Sequence, residues 1–186
     1  MPDLQEPSPW ILRFLPLVTP GGRALDVTAG AGRHSRLLLA HGLGVTAVDI
    51  DPDRQPDAPG LRKLRADLER GDPWPLGTER FDLVVVTNYL HRPILPDIVA
   101  AVAPGGLLLY ETFALGNERF GRPSNPDFLL RPGELAAAVA GRLDIIAFEE
   151  LVLGPPRPAA IQHIAARRPA EGPAMDVAGS RQDPRR

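Results

Sequence analysis

The segment at residues 26–35, reading Asp-Val-Thr-Ala-Gly-Ala-Gly-Arg-His-Ser, constrains this chain more than any other. It grows out of a short apolar run at 23–29 that suits a buried strand. It leads into 33–41, which is apolar at helical spacing and closed by Gly42. Glycine lets a backbone turn sharply and approach a ligand closely, because no Cβ intervenes. A helix beginning at Arg33 presents free N–H groups and a positive dipole end, a natural seat for a carboxylate or phosphate. Strand, glycine turn and helix in this order predict a parallel α/β sheet with its ligands beyond the carboxyl ends of the strands.

The rest of the chain keeps the alternation. A β-branched strand at 44–49 ends in Asp49, and the proline-rich 51–60 reads as loop with at most one helical turn. A weak strand at 61–66 precedes the clearest buried strand, 81–87. A helix at 94–102 is stopped by Pro104, Gly105 and Gly106, and 107–111 is the next strand. After a long polar stretch at 113–130 comes a helix near 132–140. Strands at 143–152 and 159–166 follow, and the Gly154-Pro155-Pro156 turn between them predicts an antiparallel hairpin. The expected organisation is a lead-in segment at 1–22, a domain at 23–168 and a disordered tail at 169–186, where Pro, Gly, Ala and charge prevail.

Length and charge narrow the function. One domain is expected of 186 residues. A net charge of −2 argues against a general nucleic-acid-binding surface. Without cysteine there is no disulfide, thiolate nucleophile or cysteine zinc site. No apolar run reaches the roughly 18–20 residues of a membrane helix. The opening residues carry acids and prolines where a signal peptide has basic and then apolar ones, so a cytoplasmic location is expected. His34, His41 and His163 have no partner at metal-ligand spacing, and no metal site is expected.

Asp49 lies seventeen residues beyond Gly32, where its carboxylate can accept hydrogen bonds from both hydroxyls of a ribose. The glycine loop alone leaves NAD and other nucleoside ligands open. A dinucleotide fingerprint, however, has its third glycine where Ser35 stands, and an NAD enzyme usually needs a further substrate domain.

The loop resembles that of the class I S-adenosylmethionine-dependent methyltransferases, an acid followed by G-x-G-x-G. Asp26, Gly30 and Gly32 match, and Thr28 stands in place of the first glycine. The resemblance spans roughly residues 9–168. It implies an α/β, Rossmann-like fold: a seven-stranded, mostly parallel sheet with a C-terminal antiparallel hairpin and helices on both faces. The lead-in segment would then lie over the cofactor site. S-adenosylmethionine would be the cofactor and S-adenosylhomocysteine the product. Asp49 would hold the ribose, Ile50 would stack on the adenine, Asp67 would meet its amino group and Leu68 would offer a backbone N–H. Thr28 would lie near the methionine moiety, and Asp26, Gly30, Gly32 and Thr87 would also bind the cofactor. Within that family, G-x-G-R-H-S and the Tyr110-to-Phe113 segment are similar to a small bacterial group that includes tellurite-resistance methyltransferases.

The acceptor side is expected at 87–93. Asn88, Tyr89 and His91 can orient an acceptor or take its proton, and Arg92 can hold an anionic group. Equally, Tyr89 packs, His91 caps a helix and Arg92 is solvated. The polar loop at 116–126 has the length of a lid, and its Arg119 and Arg122 suit either an acidic acceptor or pairing with Glu111 and Glu118. Trp10 is a candidate cover for the cofactor or a packing residue; Trp74, between two prolines, is expected to pack a turn. The chemistry implied is direct in-line methyl transfer to a small molecule (a thiol, metalloid oxyanion, amine or carboxylate), with nucleic acid disfavoured. The competing readings are a catalytically silent adenosyl-ligand-binding module and an NAD-dependent oxidoreductase.

Overall fold

The computed structural model describes residues 6–170; most of the tail expected from 169 onward lies outside the described residues. Helix α1 (Pro9–Phe14) leads to strand β1 (Arg23–Val27), helix α2 (Arg33–Ala40) and strand β2 (Gly44–Asp49). Strands β3 (Leu61–Arg65) and β4 (Phe81–Thr87), helix α3 (Leu95–Ala100) and strand β5 (Val102–Phe113) follow. Helix α4 (Glu134–Val139) and strands β6 (Asp144–Leu153) and β7 (Ala159–Arg167) complete it.

One seven-stranded sheet runs in the order β3-β2-β1-β4-β5-β7-β6. The first five strands in that order are parallel, and β7 lies antiparallel between β5 and β6. The expected seven strands and closing hairpin are thus present. Strand order reverses between β1 and β4, and the crevice at such a switch is where open α/β sheets bind ligands.

Central strands are apolar on both faces because both faces are covered. On one side Trp10, Ile11 and Phe14 of α1 and Leu38 of α2 pack on Leu83, Val85, Leu107 and Leu109. On the other side Ile98 of α3 and Leu135 of α4 pack on Val84, Val86, Leu108 and Tyr110. Strand β5 begins five residues before the expected 107. The strand continues through Pro104-Gly105-Gly106 with an irregularity there, Gly105 at φ 76° and a register shift against β4 between Phe81 and Leu83. Gly106 is required there: a Cβ would lie 2.9 Å from the Phe81 carbonyl oxygen.

Ser8 starts α1. Its hydroxyl accepts the Trp10 N–H at 3.1 Å and donates to Glu111 Oε2 at 3.0 Å. The lead-in helix is therefore fixed at the carboxyl end of β5 by the same residue that caps it.

Candidate functional site

At the end of β1 the chain enters the left-handed region at Thr28 (φ 55°), Gly30 (φ 57°) and Gly32 (φ 78°). Such a conformation is easy for glycine and strained for a β-branched residue, so Thr28 stores strain in the loop itself. Gly32 has a second reason to lack a side chain. A Cβ there would meet Gln55 Cδ at 2.5 Å, because the buried Gln55 lies against the loop.

Two acids hold this loop from different sides. Asp49 accepts the Gly30 N–H at 2.8 Å on one oxygen and the Asp51 N–H at 2.9 Å on the other. A carboxylate has about four acceptor positions, so two remain for a ligand in the hollow that Asp49 lines. Asp26 is different. It is 2% exposed and lies behind the loop, accepting the Ser35 hydroxyl at 2.6 Å. Burial, set against the Ser35 hydrogen bonds, pushes its carboxyl up to about 6. The expectation that Asp26 meets the cofactor is corrected: it pins the start of α2. Ser35, noted in the sequence only as a missing glycine, is its partner.

Beyond the strand ends lie adjoining hollows of about 370 and 270 Å³, which share Thr28 and Tyr89. Ile50, Asp67 and Leu68 wall the first; Arg33, His34, Thr87 and Asn88 wall the second. Ile50 is 62% exposed, an apolar surface left open inside a cleft. Asp67 spends one oxygen on the Glu69 N–H at 3.0 Å and is half-buried. A third hollow of about 490 Å³ continues past Ile50 and Leu68 to the half-buried Trp74. The candidate cofactor residues apart from Asp26 thus gather at the loop and cleft, across the switch between β1 and β4.

Residues 25–109, which span this sheet and cleft, match the family model described as a methyltransferase domain. The chain is similar to a methyltransferase domain over these 85 of its 186 residues. No curated protein matches it. Its fold recurs in an S-adenosylmethionine-dependent methyltransferase of Mesorhizobium loti (TM-score 0.63, 18% identity, 84% of this chain and 96% of that one). TehB of Haemophilus influenzae is similar (TM-score 0.64, 17% identity, 85% of this chain and 61% of that one). So is 1,6-didemethyltoxoflavin-N1-methyltransferase of Burkholderia thailandensis, solved with S-adenosylhomocysteine bound (TM-score 0.60, 20% identity, 86% and 76% covered). At such identities these likenesses establish the fold.

Several acceptor-side expectations change once the side chains are placed. Tyr89 lines both hollows, but its buried hydroxyl has no partner. Burial, with Glu69 and Asp67 nearby, pushes its pKa up. Such a phenol keeps its proton at neutral pH and is suited to donate, not to act as a base. Asn88 lines the second hollow and takes φ 54°, its N–H bonded to the Glu111 carbonyl at 2.9 Å. His91, half-buried, opens the turn before α3 and walls none of the three hollows.

Arg92 is committed elsewhere. Its guanidinium donates to both oxygens of Glu134, at 2.6 and 2.9 Å, and to the carbonyls of Asp127 and Leu129. That leaves little for a substrate anion. Arg119 donates to the Gly116 carbonyl at 3.1 Å and stacks over Phe120, and Arg122 is exposed. Neither walls the cleft, and the loop that carries them folds around the buried Asn117, which bonds Pro123 and Ala160. Trp10 is a core residue: its indole N–H donates to the Ile164 carbonyl at 3.2 Å and its ring packs 4.5 Å from that of His163. Tyr110 was missed in the sequence. It is buried beneath the acceptor segment and braces it by donating to the Tyr89 carbonyl at 2.9 Å.

Proposed function

We propose that this protein moves the methyl group of S-adenosylmethionine to a small-molecule acceptor at the carboxyl ends of β4 and β5. The observation that carries the reading is Asp49. It fastens the glycine loop, yet keeps acceptor capacity on the wall of a cleft whose other wall is an exposed Ile50 beside Asp67 and Leu68. A ribose on Asp49, with its base between Ile50 and Leu68, extends the ligand past Thr28 toward Thr87 and Asn88. When bound, S-adenosylmethionine supplies an electrophilic methyl group. The chain's own contribution is to hold the reacting atoms in line and keep water out. Tyr89 and Asn88 orient the acceptor by donating hydrogen bonds. A thiolate or an oxyanion needs no base, and Tyr89 is not placed to be one.

The NAD reading loses ground because the third fingerprint position is a serine whose hydroxyl is spent on Asp26. A silent adenosyl-binding module remains the other class. The test is to follow S-adenosylhomocysteine release over thiols, metalloid oxyanions, small amines and carboxylates, with Asp49→Ala as control. Turnover with at least one acceptor, lost in Asp49→Ala, is the expected result. Tight S-adenosylmethionine binding with no turnover across the panel favours the silent module.

A further inference from the structure

Ser8, His34 and Thr87 form a hydrogen-bond chain whose direction is fixed from one end. The Ser8 backbone N–H can only donate, and it meets His34 Nε2 at 3.1 Å. Nε2 therefore holds a lone pair. Burial first, then the Arg33 charge, hold the imidazole well below its usual pKa, at about 3, so it is neutral with its single proton on Nδ1. Nδ1 lies 3.3 Å from Thr87 Oγ1 and donates to it. Arg33 Nη2 donates to the same oxygen at 3.4 Å. A hydroxyl has two lone pairs and one hydrogen, so Thr87 is left with only its O–H to offer. Among the described residues no group accepts it.

Thr87 faces the hollow of about 270 Å³ that Arg33 and Arg54 also line. Neither guanidinium forms an ion pair among the described residues. The nearest acid on the neighbouring strand, Glu111, is turned to the Ser8 hydroxyl and to His163 Nδ1 at 3.4 Å. We propose that Ser8 and His34 are positioning residues that fix Thr87 as a hydrogen-bond donor to an anionic oxygen of the bound ligand. In this arrangement the lead-in segment sets the polarity of the cleft through His34, without touching the ligand itself. The inference rests on the adenosyl-ligand reading above. The oxygen belongs either to the carboxylate of the methionine moiety or to an anionic acceptor.

The tautomer is tested first, and without any ligand. Long-range ¹⁵N–¹H NMR on the labelled protein at neutral pH is expected to show His34 protonated at Nδ1 alone. A proton on Nε2, or on both nitrogens, overturns the proposal whatever the protein binds. Binding follows by calorimetry, with S-adenosylhomocysteine and with 5′-methylthioadenosine, which lacks the carboxylate. Thr87→Val is expected to weaken S-adenosylhomocysteine about tenfold or more. Unchanged methylthioadenosine binding then assigns the oxygen to the methionine carboxylate. If S-adenosylhomocysteine is unaffected, KM for an anionic acceptor rises by a similar factor at unchanged kcat, assigning it to the acceptor. No change in either quantity overturns the donor role. Thr87→Ser restores binding. His34→Leu weakens it several-fold in the native background and not at all alongside Thr87→Val. His34→Gln, whose amide can accept from Ser8 and donate to Thr87, stays near native. An equal loss from His34→Leu in both backgrounds also overturns the proposal. If the native protein binds neither adenosyl ligand, the adenosyl reading fails while the tautomer result still stands.

Discussion

Asp26 makes the stability of this fold depend on pH in an unusual direction. Its carboxyl is fully buried and its pKa is raised from 3.8 to about 6. An acid with a raised folded-state pKa binds its proton more tightly when folded. Its contribution to stability is therefore complete below pH 3.8 and is lost as pH climbs through about 6. At about 1.4 kcal/mol per tenfold, the gap amounts to about 3 kcal/mol at neutral pH. Asn keeps an acceptor for the Ser35 hydroxyl and carries no charge, so Asp26→Asn isolates this group. Urea unfolding of both proteins across pH 4–8 is the assay, because the difference between them cancels every other titration. Relative to the native protein, Asp26→Asn is expected to gain about 2 kcal/mol between pH 4 and pH 7, the rest of the gap lying below pH 4, and to level off above. A difference that stays flat refutes the buried-carboxyl reasoning, and one that falls as pH rises shows Asp26 to be a stabilised anion.

Other positions yield sharper or narrower tests. Gly32→Ala forces a Cβ to 2.5 Å from Gln55 Cδ at a φ of +78°, and a cost of about 2–3 kcal/mol is expected as a Tm lower by roughly 5–10 °C. Adding Gln55→Ala should recover only the part owed to that contact. Arg92→Ala frees the 127–134 segment from its bidentate tie to Glu134; faster proteolysis there, with S-adenosylhomocysteine affinity changed less than about twofold, is the expected outcome. A large loss of affinity instead would return Arg92 to the ligand. Tyr89→Phe should lower kcat/KM while leaving the shape of the pH–rate profile unchanged; a lost limb would restore Tyr89 as a base.

Much of this was legible in the sequence where it depends on local pattern. The apolar run of β4 reads as a strand covered on both faces, and Val84 and Val85 are indeed buried on opposite sides of the sheet. Asp49 could be placed at a strand end because the Gly42 stop and the β-branched run fix where β2 begins and ends. What could not be read depends on partners far away in the chain. A hairpin turn predicts that β6 and β7 pair, but not that β7 will be the strand that meets β5. Arg92 looked available for an anion because its partner lies 42 residues on, at Glu134. Likewise nothing local marks His34 as the contact of a backbone N–H 26 residues earlier. Gln55 left only an indirect sign, a glycine at position 32 whose Cβ it would displace.

The glycine loop and Asp49 bear the whole functional reading, and one titration tests them together. Calorimetry of the purified protein with S-adenosylhomocysteine, NAD and the Asp49→Ala variant is that measurement. S-adenosylhomocysteine is expected to bind at micromolar affinity or tighter, with no response to NAD and with binding lost in Asp49→Ala. Micromolar NAD binding with no response to S-adenosylhomocysteine would contradict the functional reading, as would an Asp49→Ala variant that binds as the native protein does.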